Sequence, residues 1–204
     1  MDKKEIIAFF DDMAHDWDAN QKRNEKVIDF ILSAGGVAEG KHILDVACGT
    51  GILFSDYLAC KAKVTGIDIS SAMCETAKKK FPQAEVVCAD AEECEFHDIY
   101  DVVMIYNAFP HFTNPKKLFE NLWSALAEKG RLTVAHGMSE KELEKCHSGV
   151  AKKISFPLPS KEKLAEMMSE FFDVDVMLSD EEKYVVSGMK KQKSYLSEKS
   201  QKNS

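Results

Sequence analysis

Ile43-Leu44-Asp45-Val46-Ala47-Cys48-Gly49-Thr50-Gly51-Ile52-Leu53 decides the reading of this chain: a short apolar strand, an acid, a glycine turn and the start of a helix. Gly49 and Gly51 let the backbone turn sharply and approach a ligand, because a side chain at either place would fill the ligand's space or forbid the dihedrals. The helix that begins there offers free N–H groups. No Gly-Lys-Ser/Thr follows Gly51, which argues against a nucleoside triphosphate. A glycine turn is also compatible with a plain strand-to-helix junction, so the weight rests on the strands downstream.

Lys63-Val64-Thr65-Gly66-Ile67-Asp68-Ile69-Ser70 is a second apolar strand ending in an acid. Asp68 lies 17 residues beyond Gly51, close to the roughly 20-residue spacing at which α/β folds set a carboxylate on a ribose. Glu85-Val86-Val87-Cys88-Ala89-Asp90-Ala91-Glu92 is a third strand with Asp90 at its end, and Tyr100-Asp101-Val102-Val103-Met104-Ile105-Tyr106-Asn107 is a fourth with a polar end. Open parallel sheets bind ligands outside the carboxyl ends of their strands, so one crevice can collect all four sets of side chains.

Asp45-Val46-Ala47-Cys48-Gly49-Thr50-Gly51, Gly66-Ile67-Asp68-Ile69-Ser70, Cys88-Ala89-Asp90-Ala91 and Asp101-Val102-Val103 resemble the successive motifs of class I S-adenosylmethionine-dependent methyltransferases. The resemblance runs over roughly residues 10–190. It is closest to the small-molecule branch of ubiquinone/menaquinone-biosynthesis methyltransferases, whose members often open with a segment like Phe9-Phe10-Asp11-Asp12-Met13-Ala14-His15-Asp16-Trp17-Asp18. Ala47 stands where the fuller glycine pattern has its first glycine. The resemblance implies an α/β, Rossmann-like doubly wound seven-stranded sheet, order 3-2-1-4-5-7-6 with strand 7 antiparallel, under N-terminal lid helices. It also distributes roles around S-adenosyl-L-methionine. Asp68 would hold the ribose hydroxyls, Ile69 and Met73 would flank the adenine, and Asp90 and Ala91 would address its amino group and ring nitrogen. Gly49, Gly51 and the Tyr106 carbonyl, beside Ala47, would surround the methionine end, with Asp45 acting directly or through water. Trp17 and Phe10 would close over the cofactor or substrate and exclude water.

The 204 residues suffice for one substantial core. A single methyltransferase domain is expected over residues 1–189, with 1–36 as the helical lid and 190–204 as a disordered basic tail rich in lysine and serine. The net charge of −7, with Arg23 and Arg131 the only arginines, disfavours a nucleic-acid surface. Asn107-Ala108-Phe109-Pro110 also lacks the Asn/Asp-Pro-Pro-Tyr/Phe pattern of methyltransferases that act on base amino groups. The six cysteines, Cys48, Cys60, Cys74, Cys88, Cys94 and Cys146, include no Cys-x-x-Cys. They read as free thiols packed as small hydrophobes in a reducing compartment. With no signal peptide and no membrane span apparent, a cytoplasmic enzyme is expected. A homodimer is compatible with the sequence.

Helices are expected over 3–14, 22–34, 51–60, 71–80, 114–127, 139–146 and 160–171, and later strands over 130–136, 172–178 and 182–188. Asn114-Pro115 fits a helix entry. Ser139-x-x-Glu142 makes a good capping box, whereas Ser160-x-x-Lys163 makes a poor one.

Methyl transfer from a sulfonium is an in-line displacement that needs an aligned nucleophile and, for a protonated acceptor, a base. His111, after the fourth strand, should face the crevice, and His136 ends the fifth on the same rim. His147 follows the next helix. Were that helix to fold back, His136, Cys146 and His147 could meet as a base or grip a soft metal; no metal site is assigned. Phe156 and Leu158, in an apolar, proline-containing connector, either line the acceptor pocket or pack ordinarily. The expected function is methylation of a small, partly apolar molecule. The alternatives are a non-catalytic S-adenosylmethionine-binding regulator and a Rossmann oxidoreductase; against the latter, Phe54 stands where a third glycine would fall.

Overall fold

A strand apolar on both faces must lie inside a sheet that is covered on both sides. In β1 (His42–Val46) and β4 (Tyr100–Tyr106) every residue except His42 and Asp101 is buried. The computed structural model, which describes residues 2–20, 23–96, 99–146 and 154–192, sets these two strands side by side and parallel at the centre of a seven-stranded sheet. On one flank lie β2 (Lys63–Asp68) and β3 (Glu85–Cys88), both parallel to β1. On the other lies β5 (Leu126–His136), parallel to β4, and then β7 (Tyr184–Lys190) and β6 (Phe172–Ser179), with β7 antiparallel to both its neighbours. The order 3-2-1-4-5-7-6 and the reversed seventh strand are those the resemblance implies.

Each face of the sheet carries its own core. Val27, Ile28 and Ile31 of α2 (Glu25–Ala34), Phe54 and Tyr57 of α3 (Phe54–Ala59) and Cys74 and Ala77 of α4 (Ser71–Lys80) fill one. Leu118, Phe119 and Leu122 of α5 (Pro115–Ala125) and Leu164 and Met168 of α7 (Lys161–Met168) fill the other. The N-terminal helix α1 (Lys3–Met13) instead packs on α4 at the carboxyl edge of the sheet. Among the described residues no helix is long and apolar enough to cross a membrane.

Several boundaries differ from the sequence expectation for local reasons. The third helix starts at Phe54 rather than residue 51, because Gly51 has φ +82°, which no helix interior accommodates. The second starts at Glu25, after a short 3₁₀ turn over Asp18–Asn20. The fifth ends at Ala125, and β5 begins at Leu126, opposite Tyr100, with a register shift before Arg131 pairs with Val102. The seventh helix stops at Met168, earlier than residue 171. Asp180 Oδ1 accepts the N–H groups of Glu182 and Lys183, holding a turn that delays β7 to Tyr184. Lys190, which the lysine-rich composition assigns to the tail, pairs with Phe172 in the sheet, and the Lys191 carbonyl accepts Trp123 Nε1–H. The tail from residue 193 lies outside the described residues. The expected capping box is made at α6 (Glu140–Cys146): Glu142 N–H donates to Ser139 Oγ at 3.2 Å and Ser139 N–H to Glu142 Oε2 at 3.3 Å. At α7 only half of one forms, from Lys163 N–H to Ser160 Oγ.

A methyl group on Gly51 would lie 2.9 Å from Phe54 Cδ2 and 3.1 Å from Phe81 Cδ2, on a backbone already left-handed. Gly51→Ala should therefore lower unfolding stability by about 2–4 kcal/mol from dihedral strain and overpacking combined. Urea unfolding with an unchanged midpoint would contradict that packing.

Candidate active site

The strand order reverses direction between β1 and β4, and a cavity opens there at the carboxyl edge. The chain leaves β1 through three left-handed residues, Ala47 (φ +56°), Gly49 (φ +55°) and Gly51 (φ +82°). This turn aims Gly49 N–H at Asp68 Oδ2, 2.8 Å away, while Asp68 Oδ1 accepts Ser70 N–H, also at 2.8 Å. Ser70 then caps α4 through Met73 N–H. A Cβ on Gly49 would stand 3.8 Å from Trp17 Nε1 and 4.0 Å from Met73 Sδ. The missing side chain is thus part of the space between an indole and a thioether, which suits a flat aromatic or sulfur-bearing ligand.

Four carboxylates line the cavity: Asp45, Asp68, Asp90 and Glu92. Burial pushes Asp45 up to about 8, and the Asp68 charge works in the same direction. Asp68 is also raised by burial, against the Ser70 and Gly49 amides that favour its anion. Each Asp68 oxygen retains acceptor capacity beyond its one amide. Asp90 Oδ1 accepts Glu92 N–H at 2.9 Å and its Oδ2 meets Lys3 Nζ at 2.6 Å.

α1 and the segment after it roof the cavity. Lys3 bridges Asp90 and the buried Glu92, at 2.8 Å from the latter. Burial works against the Lys3 ammonium, yet the hydrogen bonds and charges of these two partners outweigh it and raise its pKa. Asp11 Oδ1 accepts Ser70 Oγ–H at 2.6 Å and Ala72 N–H at 3.1 Å, fastening α1 to the start of α4. Asp18 binds Thr50 Oγ1 at 2.5 Å and Lys80 Nζ at 2.6 Å. Above the cavity the rings of Trp17, Phe10 and His111 meet edge to face, with centroids 5.5 Å and 5.0 Å apart.

Asp45, Ala47, Gly49, Asp68, Ile69, Met73, Asp90, Ala91, Tyr106, Trp17 and His111 all line this one cavity. Gly51 does not; it packs beneath the turn against Phe54 and Phe81. His136 is fully buried with its ring 5.9 Å from that of Tyr184, and is not among the lining residues. His147 lies outside the described residues, as does the Cys146 side chain. Phe156 is 45 % exposed and Leu158 packs against the core, so neither walls the cavity. Their connector acts from behind: the Ile154 carbonyl is 2.8 Å from His111 Nδ1. Among the described residues no group of three or more His, Cys, Asp or Glu could hold a metal ion.

Sequence reasoning missed Lys3, Asn107 and Glu92. Glu92 reads as one of several solvated acids, yet it is 2 % exposed and accepts Thr113 Oγ1–H and Asn114 N–H at the entry to α5. Asn107, at φ +55°, accepts Gly137 N–H at 2.9 Å and ties the ends of β4 and β5 together. Its place immediately after Tyr106 was the one available signal.

Residues 43–130 match a family model described as a methyltransferase domain. A demethylmenaquinone methyltransferase of Renibacterium salmoninarum is 28% identical over 143 residues, covering 66% of this chain and 60% of that protein. A malonyl-[acyl-carrier protein] O-methyltransferase of Anoxybacillus flavithermus is 35% identical over 96 residues, 44% of this chain and 36% of that protein. The chain thus spans three-fifths or less of the length of these two relatives. The structure of magnesium protoporphyrin IX methyltransferase from Synechocystis, with bound SAH, superposes with a TM-score of 0.70 at 17% identity, covering 93% of this chain and 100% of that one.

The folded chain holds the Asp45 proton up to about pH 8, against an ordinary aspartate value of 3.8. Between those values the native state binds one proton more than the unfolded state, so this group makes stability fall as pH rises, by up to about 1.4 kcal/mol per pH unit, and the trend ends above pH 8. Denaturant unfolding of the parent and of Asp45→Asn should accordingly give a stability difference that drifts against the parent from about pH 5 to pH 8. A difference independent of pH would show that Asp45 is ionised throughout.

Proposed function

We propose that this chain is a class I S-adenosylmethionine-dependent methyltransferase and that it transfers a methyl group from S-adenosyl-L-methionine to a small, partly apolar acceptor by in-line displacement. The observation that carries the reading is the convergence of Asp45, Asp68 and Asp90, from three successive strand ends, on one cavity with an aromatic roof. Bound there, S-adenosylmethionine supplies an electrophilic methyl group on a sulfonium and needs no phosphate-gripping lysine.

Asp68, oriented by Gly49 and Ser70 N–H, uses its remaining lone pairs for the two ribose hydroxyls. Met73 and Ile69 offer polarizable surface to the adenine, and Asp90 and Ala91 its polar edge. Lys3 neutralises the acids around that edge, which keeps Asp90 and Glu92 from repelling each other. Asp45 lies at the methionine end beside Ala47 and Gly49, with Gly51 fixing the turn from below and Tyr106 forming the facing wall. A cation arriving beside Asp45 favours its ionised form and is in turn stabilised by it. Trp17 and Phe10 exclude water from the reacting centre.

For a protonated acceptor we assign the base to His111. With Nδ1 facing the Ile154 carbonyl at 2.8 Å, the neutral ring carries its proton on Nδ1, and Nε2 is the basic nitrogen. His111 is favoured over His136 because it borders the cavity. The apolar surroundings of Phe10, Phe112 and Ala108, together with kinship to a demethylmenaquinone methyltransferase, support an acceptor with apolar character.

Labelled methyl transfer from S-adenosylmethionine to quinol precursors, phenols, thiols and amines tests the reaction, and two variants test the assignments. Asp68→Ala should weaken S-adenosylhomocysteine binding by about 1.5–3 kcal/mol, the range for hydrogen bonds to a charged group; unchanged affinity removes the ribose assignment. His111→Gln should cut turnover by roughly 10²–10⁴-fold with cofactor affinity preserved. Turnover at the parent rate would remove the base assignment.

A further inference from the structure

Cys74 and Cys88 are 14 residues apart in sequence, and the return from α4 into β3 brings them together. Side chains alternate along β3. Val86 packs with Cys74 and Ala77 of α4, so Cys88, two residues on, points to the same face. The buried Cys74 thiol reaches the carbonyls of Asp68, at 3.5 Å, and Val87, at 3.7 Å. Val87 immediately precedes Cys88, and the Cys88 side chain is near enough to raise the Cys74 thiol's pKa. Cys88 pairs with Asp68 across the sheet and is itself exposed. Neither cysteine lines the cavity, but Asp68 and Met73, the neighbours of Cys74 in space and in sequence, both do.

We propose that Cys74 and Cys88 are an oxidant-responsive pair that closes to a disulfide beside the acid at the end of β2. The oxidant is a low-molecular-weight disulfide. Exposed Cys88 gives its proton to solvent and attacks one sulfur of that disulfide, forming a mixed disulfide and releasing one small thiol. Cys74 then gives up its proton and attacks the Cys88 sulfur, the intramolecular S–S bond forms, and the second small thiol leaves. Two protein thiols are oxidised as one small disulfide is reduced to two thiols. Burial, with the nearby Asp68 and Cys88 charges, pushes the Cys74 thiol up to about 12, so the closing step is slow near neutral pH and accelerates as pH rises.

Closure removes the S–H that faces the Asp68 carbonyl and ties the first turns of α4 to β3. Its effect on ligand binding rests on the methyltransferase reading: oxidation should weaken S-adenosylhomocysteine binding about three- to tenfold, the equivalent of one lost hydrogen bond. Cys48 and Cys94, whose thiols burial also raises, face the carbonyls of Gly49 and Glu95 instead.

The test is incubation of the full chain with oxidised glutathione, at about pH 7 and at about pH 9, followed by thiol counting and peptide mass spectrometry. The proposal expects the count to fall from six to four, the peptides bearing Cys74 and Cys88 to be joined with loss of two hydrogens, faster closure at the higher pH, and full reversal by dithiothreitol. Cys88→Ser should lose the cross-link and bind S-adenosylhomocysteine equally before and after oxidant, whereas the oxidised parent should bind more weakly. A glutathione adduct that stays on Cys88, a cross-link between other cysteines, or six persistent thiols would overturn the pair. A Cys74–Cys88 cross-link with unaltered affinity would overturn its effect on the site. A cross-link in a chain that binds no S-adenosylhomocysteine in either state would support the thiol chemistry while overturning the methyltransferase reading.

Discussion

The Asp68 carboxylate, held between the amides of Gly49 and Ser70, is the interaction on which the carboxyl edge of this molecule depends. One oxygen fixes the glycine turn after β1 and the other fixes the start of α4, so two strand ends and one helix N-terminus share a single anchor. The arrangement requires left-handed backbone at Ala47 and Gly49. An alanine in that region costs roughly 1–2 kcal/mol relative to relaxed geometry, so the turn persists because its surroundings over-determine it. Asp11 then reaches the same helix start from α1, which links the roof to the anchor.

Electrostatics set the character of the cavity. Acids from successive strands would repel one another if all were bare anions. The chain meets this in two ways, leaving Asp45 protonated near neutral pH and bringing Lys3 onto Asp90 and Glu92. The first makes the deep end responsive to an incoming cation. The second makes the roof part of the electrostatic balance, because displacing α1 strips a counter-charge from a buried glutamate.

The strands and the line of acids were legible in the sequence because each rests on local pattern: continuous apolar runs, glycine at a turn, an acid at a strand end; the strand order came from the family resemblance those motifs carry. Asp68 could be picked out on its spacing from the glycine turn, and Asp90 on its place at a strand end. Glu92 and Lys3 could not, since a buried glutamate and a surface glutamate look alike until the α5 entry and α1 close around one of them. The nearness of Cys74 and Cys88 was hidden for the same reason, being created by a helix-to-strand return rather than by a cysteine motif. His136 was misleading in a different way: a rim position read from strand order does not say which side of the strand the ring takes, and here it turns toward Tyr184. Trp17 was legible as an aromatic on the lid segment, but the edge-to-face run through Phe10 to His111 needed the folded roof.

Whether the carboxyl-edge cavity holds S-adenosylmethionine is decided by a calorimetric titration of the wild-type chain with S-adenosylhomocysteine, set beside the same titration with a nicotinamide dinucleotide. Saturable binding of one S-adenosylhomocysteine per chain is expected, accompanied by quenching of Trp17 fluorescence in a Trp123→Phe background, with no heat from the dinucleotide. Binding of the dinucleotide with no response to S-adenosylhomocysteine would contradict the assignment of this cavity.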